Sequence, residues 1–161
     1  ITNVASDTTS IHTLVSGNTY FVGTATGLPG ATDGANAMTF KLPTPTQAGE
    51  TIKIFPTNAA AIAKLVGFAV TDPSTTTIYY QVYEPTANNT ALIETATTAT
   101  GTNGTQNTMV KLAASHMLVG DEYELVSLST TVWLLRITGR NNLIAAGDIV
   151  VDPGNALGYI D

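Results

Sequence analysis

The chain is predicted to fold as an all-β domain, an antiparallel β-sandwich or β-barrel-like unit with long Thr/Gly-rich loops and terminal arms. Three observations carry this expectation. The 161 residues include 29 threonines, and threonine, stiff at χ1, suits a pleated, half-exposed surface better than a helix. Charged side chains supply 11% of the chain, less than half of the roughly 25% usual in globular proteins, and lysine is scarce. Short apolar runs recur between Gly, Pro, Asn and Thr at the spacing of a sandwich or barrel.

A chain of this length normally builds one domain around one core. The expected division is an N-terminal arm or first strand over 1–15, a β-sandwich core over 16–139, and a C-terminal arm or final hairpin over 140–161. The strands read in order as Ile11–Val15, Thr19–Val22, Met38–Leu42, Thr51–Phe55, Lys64–Val70, Thr76–Tyr83, Thr108–Leu112, Glu122–Ser127 and Val132–Thr138. Each is bounded by turn formers. In Thr76–Tyr83 the side chains of Ile78, Tyr80 and Val82 alternate with Thr77, Tyr79, Gln81 and Tyr83, the period of a strand with two unlike faces, one of which meets the core. Val132–Thr138 is apolar almost continuously up to Arg136, which predicts a central strand covered on both sides with Trp133 as a core anchor. Ala59–Ala63 has the helical propensity for a single turn.

The stretch Thr108–Gly139 condenses the pattern into three strands and two tight turns. Thr39–Ile54 echoes it: both run strand, Lys-Leu, spacer, Gly-acid, strand, as two hairpins with the same turn mechanics would. Two regions are expected to project as loops. Thr95–Thr108 holds two glycines and no large apolar side chain, and Thr24–Ala37 holds Pro29 among Gly27, Gly30 and Gly34. The segment Asn141–Asp161 carries two apolar runs, Leu143–Ala146 and Ile149–Val151, and reads as an arm able to complete a neighbour's sheet. Ile1 is expected to follow a processed start or one further upstream.

Charge and composition exclude several function classes. Twelve acidic against six basic residues give a net charge of −6, which repels a phosphate backbone, so no nucleic-acid partner is expected. No apolar run reaches the length of a bilayer span, and Ala59–Val70 is interrupted by Lys64, so no membrane partner is expected either. With no cysteine in the chain, disulfides and thiolate metal sites are ruled out.

Catalytic constellations are sparse. Asp121, Glu122 and Glu124 follow Gly120, and on a strand Glu122 and Glu124 share a face, where two carboxylates could hold a hard cation or act as acid and base. The preferred reading is a turn followed by a solvated strand face. His12 and His116 lack ligand spacing and are read as surface histidines. Ser16, Ser115 and Ser127 lack a nucleophile elbow, and no glycine-rich loop leads into a helix. Tyr79, Tyr80 and Tyr83 could form a sugar-stacking platform, though cross-strand packing is the commoner use of such tyrosines. The sequons at Asn88 and Asn103 are what a Thr-rich chain produces by chance. No catalytic, cofactor-binding or metal-binding residue is assigned, no cofactor is expected, and the chain is not expected to be an enzyme.

A resemblance rests on Ser16-Gly17-Asn18-Thr19-Tyr20-Phe21, on Thr39-Phe40-Lys41-Leu42-Pro43-Thr44-Pro45 with Ala48-Gly49-Glu50-Thr51-Ile52-Lys53-Ile54, and on Gly120-Asp121-Glu122-Tyr123-Glu124-Leu125-Val126-Ser127 leading to Val132-Trp133. These segments resemble the small β-rich decoration, or cement, and related structural proteins of tailed bacteriophages. The resemblance spans about Ser16 to Gly139 and departs from the pattern over Ala59–Thr108 and Asn141–Asp161. It implies a virion protein on the outer surface of the capsid that binds the major capsid protein, assembles as a homotrimer, and stabilises contacts between shell subunits. The contact elements expected are Ile1–Ser10 and the C-terminal arm. The alternative, from similar signatures in fibre proteins, is a receptor- or carbohydrate-binding domain of a phage tail fibre using the tyrosines and long loops. A third reading, a metal-dependent hydrolase built on Glu122 and Glu124, predicts divalent-cation binding lost when both are replaced.

Overall fold

A computed structural model describes residues 2–4, 11–22, 37–57, 65–85, 91–95, 108–112, 117, 119–139 and 149–152. These residues form twelve strands: β1 (Thr2–Val4), β2 (Ile11–Thr13), β3 (Thr19–Val22), β4 (Ala37–Leu42), β5 (Thr51–Pro56), β6 (Leu65–Val70), β7 (Thr77–Pro85), β8 (Ala91–Thr95), β9 (Met109–Leu112), β10 (Glu122–Ser129), β11 (Val132–Thr138) and β12 (Ile149–Asp152). Among the described residues there is no helix. All nine expected strands are present, to within two residues at their ends. The Ile149–Val151 run also forms a strand, and β1 and β8 are additions. The segment Ala59–Ala63, the bodies of the two Thr/Gly-rich loops, His116, Ser115, both sequons and the Leu143–Ala146 run lie outside the described residues.

The strands make a seven-stranded sheet, in the order β1-β3-β5-β10-β11-β7-β8, and a five-stranded sheet, in the order β12-β9-β6-β4-β2. Two expectations need correction. Among the described residues neither sheet closes on itself, so they form no closed barrel. The sheets are mixed instead of antiparallel: β1–β3, β3–β5, β2–β4, β4–β6 and β7–β11 pair in parallel. The cause is the route of the chain. From β1 to β6 successive strands alternate between the two sheets, so each strand in one sheet is the return path that brings the next strand of the other into parallel register. Parallel neighbours need such a crossover, usually supplied by a helix; here a strand of the opposite sheet supplies it.

One core draws on both sheets. Ile52, Ile54, Tyr123, Leu125, Trp133 and Leu135 from the larger meet Phe40, Leu42, Val66, Phe68, Val70 and Leu112 from the smaller, all with 1% exposure or less. Alternation explains the selection: β10 buries Tyr123, Leu125 and Ser127 and turns Glu122, Glu124 and Val126 outward. The expected alternation of β7 is also seen, with Ile78 and Val82 buried and Tyr80 packed against the core. Strand β11 is interior to its sheet and Trp133 is fully buried, as expected, but the strand is covered on one face only. Trp133, Leu135 and Ile137 point in while Leu134, Arg136 and Thr138 lie on the outer side. Two-sided cover belongs to β6 and its neighbours. On the face of the smaller sheet away from the common core, Thr39, Ala69 and Met109 are 1%, 2% and 0% exposed, and a side chain at Gly67 would meet the Met109 sulfur.

The sequence echo also changes meaning. Strands β4 and β9 lie in the smaller sheet, and β5 and β10 in the larger, so the two units are crossings between sheets and not hairpins. Their turn mechanics agree, since Gly49 and Gly120, each before an acidic residue, have φ of 86° and 94°, a left-handed conformation glycine adopts without cost. Of the three strands in Thr108–Gly139, only β10 and β11 form a hairpin, with an irregularity between Ser127 and Ser129.

A polar clamp fixes the first crossing to that irregularity. The Glu50 carboxylate accepts hydrogen bonds from Ser16 Oγ (2.5 Å), from the backbone N–H groups of Thr46 (2.8 Å) and Gln47 (3.1 Å), and from the Thr46 hydroxyl. Ser127 Oγ accepts from the Glu50 N–H (2.8 Å) and donates to the Gln47 carbonyl (2.7 Å). The Ser16 and Thr46 hydroxyls, with the backbone donors, hold the Glu50 carboxyl down at about 2 instead of 4.5. A carboxylate depressed in the folded state contributes stability above its unfolded value and loses it as pH falls towards the folded one. Glu50→Gln is therefore expected to melt a few degrees below the parent at pH 7. The gap should narrow below about pH 4.5 and close near pH 2, in thermal melts followed by circular dichroism across that range.

Candidate functional site

The outer face of the larger sheet brings together the side chains with binding chemistry. Because β5 buries Ile52 and Ile54, Lys53 between them points out. Register then sets the rows. Lys53 lies opposite Glu124, Glu124 opposite Arg136, and Arg136 beside Gln81. In the next row Glu122 lies opposite Thr138, and Thr138 beside Tyr83. Directly opposed charges of unlike sign favour the pairing.

The charges form one network. Lys53 Nζ is 3.1 Å from Glu122 Oε1 and 3.4 Å from Glu124 Oε1, and an Arg136 guanidinium nitrogen is 3.5 Å from Glu124 Oε2. The hydrogen bond to Glu122, reinforced by the charges of Glu122 and Glu124, holds the Lys53 ammonium above its ordinary value. All four side chains are partly exposed, so each pair is worth at most about 1 kcal/mol; the network orients the groups more than it stabilises the fold. Beside it lies a groove of about 290 Å³ lined by Gln81, Tyr83, Glu122, Glu124, Arg136 and Thr138, with a contribution from Ile137. Tyr83 is 48% exposed. At the other end of the face the rings of Phe21 and Phe55 stack with centroids 5.8 Å apart.

Compared with protein-family models, curated protein sequences and solved structures, the chain matches none.

The expected positions divide clearly on this frame. Glu122 and Glu124 share an outward face, as the alternation requires, but both are ion-paired. Asp121 turns the other way, buried, with the Tyr123 hydroxyl donating to it at 3.3 Å. Among the described residues no group of three His, Cys, Asp or Glu side chains could hold a metal ion. His12 is half-buried against the core ring of Phe40, at 5.9 Å between centroids, and is not simply a surface residue. Ser16 and Ser127 belong to the Glu50 clamp. The three tyrosines do not form one platform: Tyr79 and Tyr83 lie on the outer face and Tyr80 on the core side. Lys53, Gln81, Arg136 and Thr138 were not singled out as site residues. Their alternation marks them as outward-facing, but only the pairing of distant strands brings them to the carboxylates.

Proposed function

We propose that this chain is a structural protein of a tailed-phage virion, a decoration or cement protein that binds the outer surface of the head and braces contacts between shell subunits. In this reading the two sheets are the layers of a β-sandwich. The carrying observation is spatial. The resemblance to decoration proteins rests on segments far apart in sequence, and three of them supply β3, β5, β10 and the start of β11, four consecutive strands of one sheet. Bracing requires a stiff surface and buried contact area, with no reactive group. The clamped turn and ion-paired outer face of these strands meet the first requirement.

The terminal strands suit attachment. Among the described residues β1 ends the larger sheet and β12 ends the smaller, and a strand at the end of a sheet offers backbone groups to a partner strand. The partners are then the major capsid protein and further copies of this chain, assembled as a homotrimer. The deciding experiment is the copy number per purified virion, by quantitative mass spectrometry against the major shell protein. A ratio near that of the shell subunits, or a fixed simple fraction of it, is expected. A few copies per particle would move the chain to the tail or fibre, and absence from particles would sink the virion reading.

A further inference from the structure

We propose that the groove on the outer face of the larger sheet is a binding site for a neutral saccharide, with the Tyr83 ring as its stacking wall and Gln81, Glu122, Glu124, Arg136 and Thr138 as its hydroxyl-reading floor. The proposal stands on the groove and does not need the virion reading.

The lining side chains form a small array: Gln81, Arg136 and Glu124 in one row, Tyr83, Thr138 and Glu122 in the next. Three strands at about 4.8 Å spacing and two positions along each give a floor of roughly 10 by 7 Å, the scale of one or two sugar rings. The groove volume of about 290 Å³ lies just below the ~300–1,000 Å³ typical of ligand sites, which fits a unit of one or two sugars.

Chemistry narrows the ligand class. The two glutamates are balanced by Lys53 and Arg136, so the site has no excess charge to attract an anion or a cation. What it offers is planar groups with paired donors or acceptors. The Glu122 and Glu124 oxygens keep acceptor capacity beyond their ion pairs, the Gln81 amide has one acceptor oxygen and two donor hydrogens, and Arg136 has the donors of its fork that are not turned to Glu124. Adjacent hydroxyls of a sugar ring are both donor and acceptor and can pair with such groups. Tyr83, partly exposed at the groove, offers an apolar ring face and a polar tip, the combination that suits one face of a pyranose. A peptide adding as a strand would instead need a sheet edge, and these residues lie on interior strands and on β7, which β8 flanks.

The test is a binding screen of the full chain against immobilised neutral oligosaccharides of glucose, galactose, mannose and N-acetylglucosamine, with sialylated and sulfated glycans as charged controls. Hits are then titrated in solution. At least one neutral glycan is expected to bind, and Tyr83→Ala to weaken it by about tenfold, as truncating an aromatic anchor does. Tyr83→Phe should retain binding, and Gln81→Ala should weaken it. Tyr79→Ala, on the same face outside the groove, should leave it unchanged. Melting curves of each variant separate lost binding from lost folding. Absence of any neutral hit, equal or stronger binding of the charged glycans, or indifference of a hit to both Tyr83→Ala and Gln81→Ala would overturn the proposal. None of these outcomes bears on the virion copy number, so the two readings fail separately.

Discussion

Trp133→Ala is expected to destabilise the protein by about 3–5 kcal/mol, the range for truncating a fully buried large aromatic. Three features place it there. The side chain has no exposed surface, so the whole apolar area it hides is lost and the hole cannot drain to solvent. It stands on β11, between β10 and β7, beside Ser127 and Ile78, where packed strands on both sides restrict collapse into the hole. Its indole Nε1–H donates to the Pro43 carbonyl at 2.8 Å, a bond from the larger sheet to the segment leaving β4 of the smaller one. At roughly 2–4 °C per kcal/mol for a chain of this size, the melting temperature should fall by on the order of 10 °C. Trp133→Phe separates the terms, keeping most of the ring volume while orphaning the carbonyl, so its loss should be clearly smaller. Urea unfolding followed by circular dichroism is the measurement, since the variant lacks the chain's only tryptophan. A parent-like midpoint for Trp133→Ala would remove the indole from its place as anchor.

Trp133 was legible as an anchor because a large aromatic in an apolar, period-two run has few other uses. Strand positions were legible for the same reason, as each short run carried its own alternation and its own turn residues. Which sheet each strand joins was not, because period two fixes only two faces and says nothing about neighbours. Val132–Leu135 shows the limit. Val132 and Leu134 are apolar, yet they sit half-covered on an outer face, while in the similar run of β6 Val66, Phe68 and Val70 are buried on one face and Gly67 and Ala69 on the other, where Ala69 packs with Met109. β1 and β8 carry little local signal, since Thr2–Val4 has a single apolar residue and the Ala-Leu-Ile run of Ala91–Thr95 stops at Glu94.

The candidate site divides the same way. Glu122 and Glu124 were placed on one face from local sequence alone. Their partner Lys53 is 69 residues from Glu122, and Gln81 and Tyr83 reach the groove through the parallel β7–β11 pairing. No local pattern encodes that pairing. The tyrosines illustrate what register adds: three candidates by composition become one groove-lining ring, one neighbour on the same face and one core contact.

The second large effect concerns the join between the sheets. Phe68 has no exposed surface; its ring stacks on Phe40 of the adjacent strand at 5.4 Å and on Tyr123 of the opposite sheet at 5.8 Å. Phe68→Ala should therefore cost about 3–5 kcal/mol in transfer and cavity terms, including two aromatic pairs worth about 0.5–1.5 kcal/mol each beyond area burial. Its consequence extends past its own sheet. Because Tyr123 and Trp133 belong to the larger sheet and Phe68 to the smaller, the loss should appear equally in tryptophan fluorescence and in far-ultraviolet circular dichroism if the two sheets unfold together. Coincident midpoints, both shifted down by on the order of 10 °C, are expected. A dichroism transition that moves while the Trp133 signal holds would mean that the larger sheet is stable without this contact. A double-mutant cycle on Phe68→Leu and Tyr123→Leu then gives the coupling across the interface, expected at about 0.5–1.5 kcal/mol. The Tyr123 hydroxyl also donates to buried Asp121, so Tyr123→Leu alone should cost more than the ring contact. Since that excess appears in both arms of the cycle, it cancels from the coupling and leaves the contact between the sheets as the quantity measured.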